Sequence, residues 1–89
     1  MATAYPLPKW GLTMEEGTIV EWNVTAGQPV REGDVLALVT TDKIEMEFES
    51  PVSGVVAALL VEPDATVPVG HDIIVIADDE PDYQRYRDA

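Results

Sequence analysis

The chain has 89 residues, 46% of them apolar and none a cysteine, and its 17 acidic side chains face only five basic ones for a net charge of −12. That length holds one small domain with a modest core, and the lack of cysteine excludes disulfides, thiol nucleophiles and cysteine-ligated zinc. The charge argues against nucleic acid and against an anionic membrane surface, which both select clustered Lys and Arg; it favours solubility and suits a partner with a basic docking face.

The opening, "MATAYPLPKW", has no basic region followed by an apolar stretch, so no secretory signal is read there. The first β-like stretch is Tyr5–Leu7, and Lys9, beside Trp10, reads as a surface residue after it. A connector from Leu12 to Glu16 leads to a second stretch, Thr18–Val24. Gly27, Pro29 and Gly33 punctuate the way to Val35–Thr41. Asp42 and Lys43 divide that stretch from Ile44–Phe48. Pro51 and Gly54 precede Val55–Val61, the longest apolar run and far short of the ~20 residues of a membrane span. Pro63, Pro68 and Gly70 then lead to Ile73–Ala77. Short strands at regular spacing with turn residues between them predict an all-β sandwich or barrel. No window sustains a helical period. The last residues, "DDEPDYQRYRDA", are polar and read as a tail, frayed or loosely helical. The expected organisation is a domain over residues 1–78 and a polar C-terminal tail over 79–89, in a soluble, intracellular protein.

The chain repeats itself. With Gly17 placed on Gly54, a shift of 37 residues, Val20 falls on Ala57, Val24 on Val61, Val30 on Val67, Gly33 on Gly70, Leu36 on Ile73 and Leu38 on Val75. Two copies of one strand pattern are too few for a solenoid. They predict two small sheets packed face to face about a pseudo-twofold axis.

The stretch between the copies carries the most information. Lys43 is one of two lysines in the chain. If Asp42 and Lys43 are the centre of a tight turn, Thr41 stands opposite Ile44, Val39 opposite Met46 and Ala37 opposite Phe48. Ile44, Met46 and Phe48 then share one face and are expected to be buried, at roughly 1.5–3 kcal/mol each. Glu45, Glu47 and Glu49 take the other, where Leu38 meets Glu47 and Leu36 meets Glu49. A slip by one residue would bury three carboxylates, so the register is pinned. Leu36 and Leu38 are apolar on that second face, a mismatch that a bulge would resolve. Asp-Lys lacks the glycine of the usual two-residue hairpin and suits a type I turn. An isolated turn lysine is ordinarily only solvated.

At this point the residues resemble a known family. "TTDKIEMEFESPVSGVV" is similar to the attachment hairpin of lipoyl domains from 2-oxo acid dehydrogenase complexes. Thr41, Asp42, Lys43, Pro51, Gly54 and Val55 match its pattern. Thr40 stands where Glu is common and Ile44 where Ala or Val is common, departures that bear on partner specificity. The earlier "LPKWGLTMEEGTIVEWNVTAGQPVREGDVLALV" also resembles the family, and "PKWGLTM" is similar to the dihydrolipoamide acyltransferase components of acetoin and pyruvate dehydrogenase complexes. The resemblance covers residues 4 to 78.

The resemblance implies a flattened barrel or sandwich of two four-stranded antiparallel sheets, which agrees with the repeat. It implies lipoate in amide linkage on Lys43, with Thr41, Asp42 and Ile44 flanking the attachment point and Met14, Glu15 and Glu16 on a nearby recognition loop. The domain would be a carrier and cosubstrate rather than an enzyme. Its long arm would move acyl groups and electrons between active sites. Implied partners are a thiamine-diphosphate-dependent dehydrogenase, an acyltransferase core, dihydrolipoamide dehydrogenase and a lipoyl ligase or transferase. The domain itself is expected to be monomeric, in the bacterial cytoplasm or the mitochondrial matrix, with no nucleic acid, membrane or metal in its work. Biotinyl carrier domains share the fold, but their lysine is typically flanked by methionines, whereas here the flanks are Asp42 and Ile44. An unmodified structural hairpin domain is the third reading. An enzyme in its own right finds little support. His71 stands alone in a Gly-His-Asp turn, and the acyltransferase His-x-x-x-Asp-Gly motif and GxGxxG loops are absent.

Overall fold

The repeat in the sequence is a repeat of structure. The computed structural model describes residues 1–11, 13–41 and 44–88. Its elements in chain order are β1 (Thr3–Pro6), β2 (Glu16–Trp22), β3 (Pro29–Val30), β4 (Val35–Thr41), β5 (Ile44–Glu49), β6 (Gly54–Leu59), β7 (Thr66–Pro68), β8 (Asp72–Ala77) and α1 (Glu80–Asp88). The strands form two four-stranded antiparallel sheets, ordered β1-β8-β6-β3 and β5-β4-β2-β7. Under the 37-residue shift β2 corresponds to β6, β3 to β7 and β4 to β8. Each copy lends a short strand to the other sheet, because β7 pairs with β2 and β3 with β6. Neither half therefore has a complete sheet of its own.

The symmetry reaches the backbone. The register of β2 against β4 shifts between Ile19 and Glu21, and that of β6 against β8 shifts between the corresponding Val56 and Ala58. The N–H of Gly27 donates to the Val56 carbonyl at 2.7 Å, and that of Asp64 donates to the Ile19 carbonyl at 2.6 Å. Both donors lie in the left-handed region, with φ of 93° and 71°. Glycine takes that conformation freely, and aspartate is among the few other residues that tolerate it.

The core lies between the sheets. Ile19, Leu36 and Val39 of one sheet belong to a single buried cluster with Val56, Ile74 and Ile76 of the other. At Gly54 the chains come so close that a Cβ would stand 2.2 Å from the Ala77 carbonyl oxygen. Only hydrogen fits there.

The β4–β5 hairpin follows the predicted register at Thr41–Ile44, Val39–Met46, Leu38–Glu47 and Ala37–Phe48. At its base the expected Leu36–Glu49 pair is replaced by Val35–Glu49, with an irregularity between Val35 and Ala37. The extra residue lets Leu36 and Ala37, adjacent in sequence, both be fully buried. The expectation that Ile44, Met46 and Phe48 are all buried needs correction. Phe48 is 4% exposed, Met46 is half-buried and Ile44 is 60% exposed. Alternation gives the face, but burial fades toward the end of the hairpin, where β5 runs past the layer covering Phe48.

The C-terminal segment is the helix α1. Asp79 caps it, accepting from the Asp82 N–H at 2.9 Å, and the Asp82 carboxylate accepts from the Asp78 N–H at 2.8 Å. Acidic residues occupy its first turn and Arg85 and Arg87 its last, matching the helix dipole. Tyr83 packs on the small residues Ala57, Ala58 and Ala77 of β6 and β8. The Met1 ammonium lies 3.2 Å from the buried Asp82 carboxylate, which is held below the usual carboxylate range by the Asp78 N–H and then by that ammonium.

Candidate functional site

Two of the expected site residues, Asp42 and Lys43, lie outside the described residues, as does Leu12 in the expected loop. What the structure gives is their surroundings. β4 and β5 stay paired through Thr41 and Ile44, the last described residues on either side. β5 is an edge strand of its sheet. Its outward side chains Glu45, Glu47 and Glu49 are exposed.

The connector before β2 is drawn to the same place. The Thr41 hydroxyl donates to the Glu16 carbonyl at 3.2 Å, tying the end of β4 to the start of β2. A turn precedes it, in which the Met14 N–H donates to the Gly11 carbonyl at 3.1 Å. The Trp10 N–H points at the Met14 sulfur, 3.4 Å away. Met14 itself is 6% exposed and belongs to the core cluster. It anchors the loop, while Glu15 and Glu16 face solvent.

Three concavities result. A notch of about 170 Å³ is walled by Trp10, Thr13, Met14, Thr41, Ile44 and Met46. A wider cleft of about 460 Å³ opens beside it, between Glu15, Glu16 and Thr18 on one side and Thr40 and Thr41 on the other. A groove of about 400 Å³ follows the outer edge of β5, lined by Pro8, Trp10, Met46, Phe48 and the carboxylates of Glu47 and Glu49. The structure thus gathers Met14, Glu15, Glu16, Thr41 and Ile44 around the hairpin. Trp10, Thr13 and Met46 join them, and the sequence reading missed these three. A large aromatic in a connector just after a proline was the available signal for Trp10. Among the described residues no group of His, Asp and Glu converges to hold a metal ion.

With this geometry in hand, comparison with known proteins is decisive. The family described as "Biotin-requiring enzyme", whose profile covers biotinyl and lipoyl domains, matches residues 4–76. The chain belongs to the biotinyl/lipoyl-attachment family. Over 78 residues it is 47% identical to the dihydrolipoyllysine-residue acetyltransferase component of the pyruvate dehydrogenase complex of Staphylococcus aureus, covering 88% of this chain and 18% of that protein. It is 40% identical over 74 residues to the corresponding component of the acetoin cleaving system of Pseudomonas putida, covering 83% of this chain and 20% of that one. The mitochondrial pyruvate dehydrogenase component of Caenorhabditis elegans is also 40% identical, over 83 residues, 92% of this chain and 16% of that protein. The chain thus spans about a fifth of the length of these relatives. Among solved structures, the lipoyl domain of the 2-oxoglutarate dehydrogenase complex from Azotobacter vinelandii superposes with a TM-score of 0.66 at 22% identity, covering 90% of this chain and 99% of that one. That likeness establishes the shared fold of two four-stranded sheets.

Proposed function

We propose that this chain is a lipoyl carrier domain in which Lys43 bears lipoate through an amide bond and serves a 2-oxo acid dehydrogenase complex of the pyruvate or acetoin type. The observation that carries the reading is the Thr41-Asp42-Lys43 sequence set between strands that stay paired up to Thr41 and Ile44. Only residues 42 and 43 separate those strands, so an enzyme that modifies by position finds one lysine there. The surroundings fit the group, because the described residues lining the notch beside the hairpin are uncharged and largely apolar, matching a neutral, sulfur-bearing arm.

Lipoate, when bound, supplies a disulfide that takes up an acyl group with reduction and passes it on as a thioester. The protein's own part is mechanical. Phe48, Leu36 and Val39 root the hairpin in the core. The Thr41 hydroxyl fixes its end against β2. Amide formation removes the lysine charge, and a long arm, roughly 12–15 Å, enters a buried site while the domain stays outside. Tethering gives the carried group a high local concentration at each site. The domain is on this reading a cosubstrate. Its partners are a thiamine-diphosphate-dependent dehydrogenase, an acyltransferase core, dihydrolipoamide dehydrogenase and a lipoyl ligase or transferase. Thr41, Asp42 and Ile44 present the lysine to the ligase, and Glu15 and Glu16, on the loop anchored by Met14, face the dehydrogenase. The relatives named above include bacterial and mitochondrial proteins, which supports the bacterial cytoplasm or the mitochondrial matrix as the place of work.

Intact mass after co-expression with a lipoyl ligase and lipoate tests the reading, beside a biotin-ligase arm. One lipoyl increment, absent from Lys43→Ala, is the expected result. A biotin increment in its place moves the domain to the carboxylases, and no increment in either arm removes the carrier reading.

A further inference from the structure

The described residues that line the notch beside the hairpin carry no charge. The chain carries 17 acidic residues, and the two neighbouring concavities are lined with Glu15 and Glu16 or with Glu47 and Glu49. Among the described residues, the notch between them has no ionisable side chain in its lining. Its walls include Ile44, 60% exposed, and the half-buried Met46. Such apolar surface invites a cover of matching chemistry.

We propose that the notch is a resting site for the five-membered dithiolane ring at the end of the arm on Lys43, which seats against Ile44, Met46 and Trp10 of its own domain between visits to partner sites. The inference rests on the lipoyl reading above. Size agrees. The notch, at about 170 Å³, is on the scale of the engineered ~150 Å³ cavity that accepts benzene, and a five-membered ring is smaller than benzene. Chemistry agrees. Met46 and Met14 offer polarisable thioethers and Trp10 an aromatic surface, good neighbours for a ring containing two sulfurs. Reach agrees. Ile44 follows Lys43 in the chain, at a Cα separation of about 3.8 Å, so the arm can fold back with slack. The flanking clefts would place the ring beside carboxylates that hold water.

The site is also preformed. The Met14 side chain is locked in the core, the Trp10 N–H is aimed at its sulfur, and the Thr41 hydroxyl is tied to Glu16. A weak site is sufficient, because a short tether holds the ring at an effective concentration of roughly millimolar. An intrinsic dissociation constant near that value leaves the ring seated about half the time. The arm is then sheltered when idle yet free to leave.

NMR of the intact domain, lipoylated to completion as judged by its mass, tests the proposal. The expected result is NOEs from the ring methylenes to the Met46 and Met14 methyls and the Trp10 indole. These methyls shift relative to the unmodified domain, and a Met46→Glu variant of unchanged amide spectrum elsewhere loses the contacts to Met14 and Trp10. Met46→Leu keeps those two. A lipoylated domain without these NOEs, its shifts confined to residues adjoining Lys43, overturns the resting site and leaves the notch to a partner enzyme's surface. A domain that takes no lipoyl increment overturns the carrier reading and the resting site with it.

Discussion

Gly54 and Asp64 show how tightly single positions are held. At Gly54 the obstacle to a Cβ is backbone, the Ala77 carbonyl 2.2 Å away, with Ile76 also within 2.9 Å. Backbone in a paired strand cannot step aside as a flexible side chain can. Gly54→Ala is therefore expected to destabilise by about 3 kcal/mol, measured by urea unfolding, at the upper end of overpacking effects. Asp64 holds the left-handed conformation that its counterpart Gly27 holds without strain. Asp64→Ala should lower stability by about 1 kcal/mol, and Asp64→Gly should be neutral or better. The glycine repeat was legible because Gly17, Gly33, Gly54 and Gly70 align at one spacing. The Gly27–Asp64 equivalence was not, since it joins unlike residues that share only a backbone angle.

The hairpin and the helix make the corresponding point for elements. The alternation Ile44, Met46, Phe48 against Glu45, Glu47, Glu49 fixes a register, and the observed pairs follow it as far as Ala37–Phe48. It cannot tell how far the opposing layer extends, so the exposure of Ile44 was invisible in the sequence. Phe48→Ala is expected to cost about 3–4 kcal/mol, because the ring is almost fully enclosed. Ile44→Ala should change stability by less than about 0.5 kcal/mol, as at other exposed positions. Denaturant titration of the two variants separates them. β3 and β7 escaped the sequence reading because strands of two and three residues carry no alternation. In α1 the cap at Asp79 and Pro81 hid within a stretch that looked merely polar. Its docking is expected to depend on pH. The Asp82 carboxylate has a lowered pKa in the folded chain, through the Asp78 N–H and the Met1 ammonium. Its contribution is therefore complete above the unfolded value of about 3.9 and is lost as pH falls through the lower folded value. A pH titration of helical circular dichroism should show wild type more stable than Asp82→Asn at neutral pH, with the gap closing as pH falls through the lowered folded value.

The whole molecule is a two-sheet body that brings the connector before β2 up against the end of one hairpin. Strand exchange between the repeats makes the body cooperative, since β3 and β7 each complete the sheet of the other half. The sequence carried the pseudo-twofold, the hairpin and the lysine. It did not carry the clustering of Trp10 and Thr13 with Thr41, Ile44 and Met46, because that proximity arises only when β2 pairs with β4. On the carrier reading, modification follows the place of the lysine between two paired strands. Peptide mass mapping of the ligase-treated protein tests this, on wild type and on a double variant exchanging the two residues, Asp42→Lys with Lys43→Asp. The expected result is one lipoyl group on Lys43 in wild type and none in the exchanged variant, with unchanged circular dichroism. A lipoyl group on Lys9, or on the lysine moved to position 42, would contradict it.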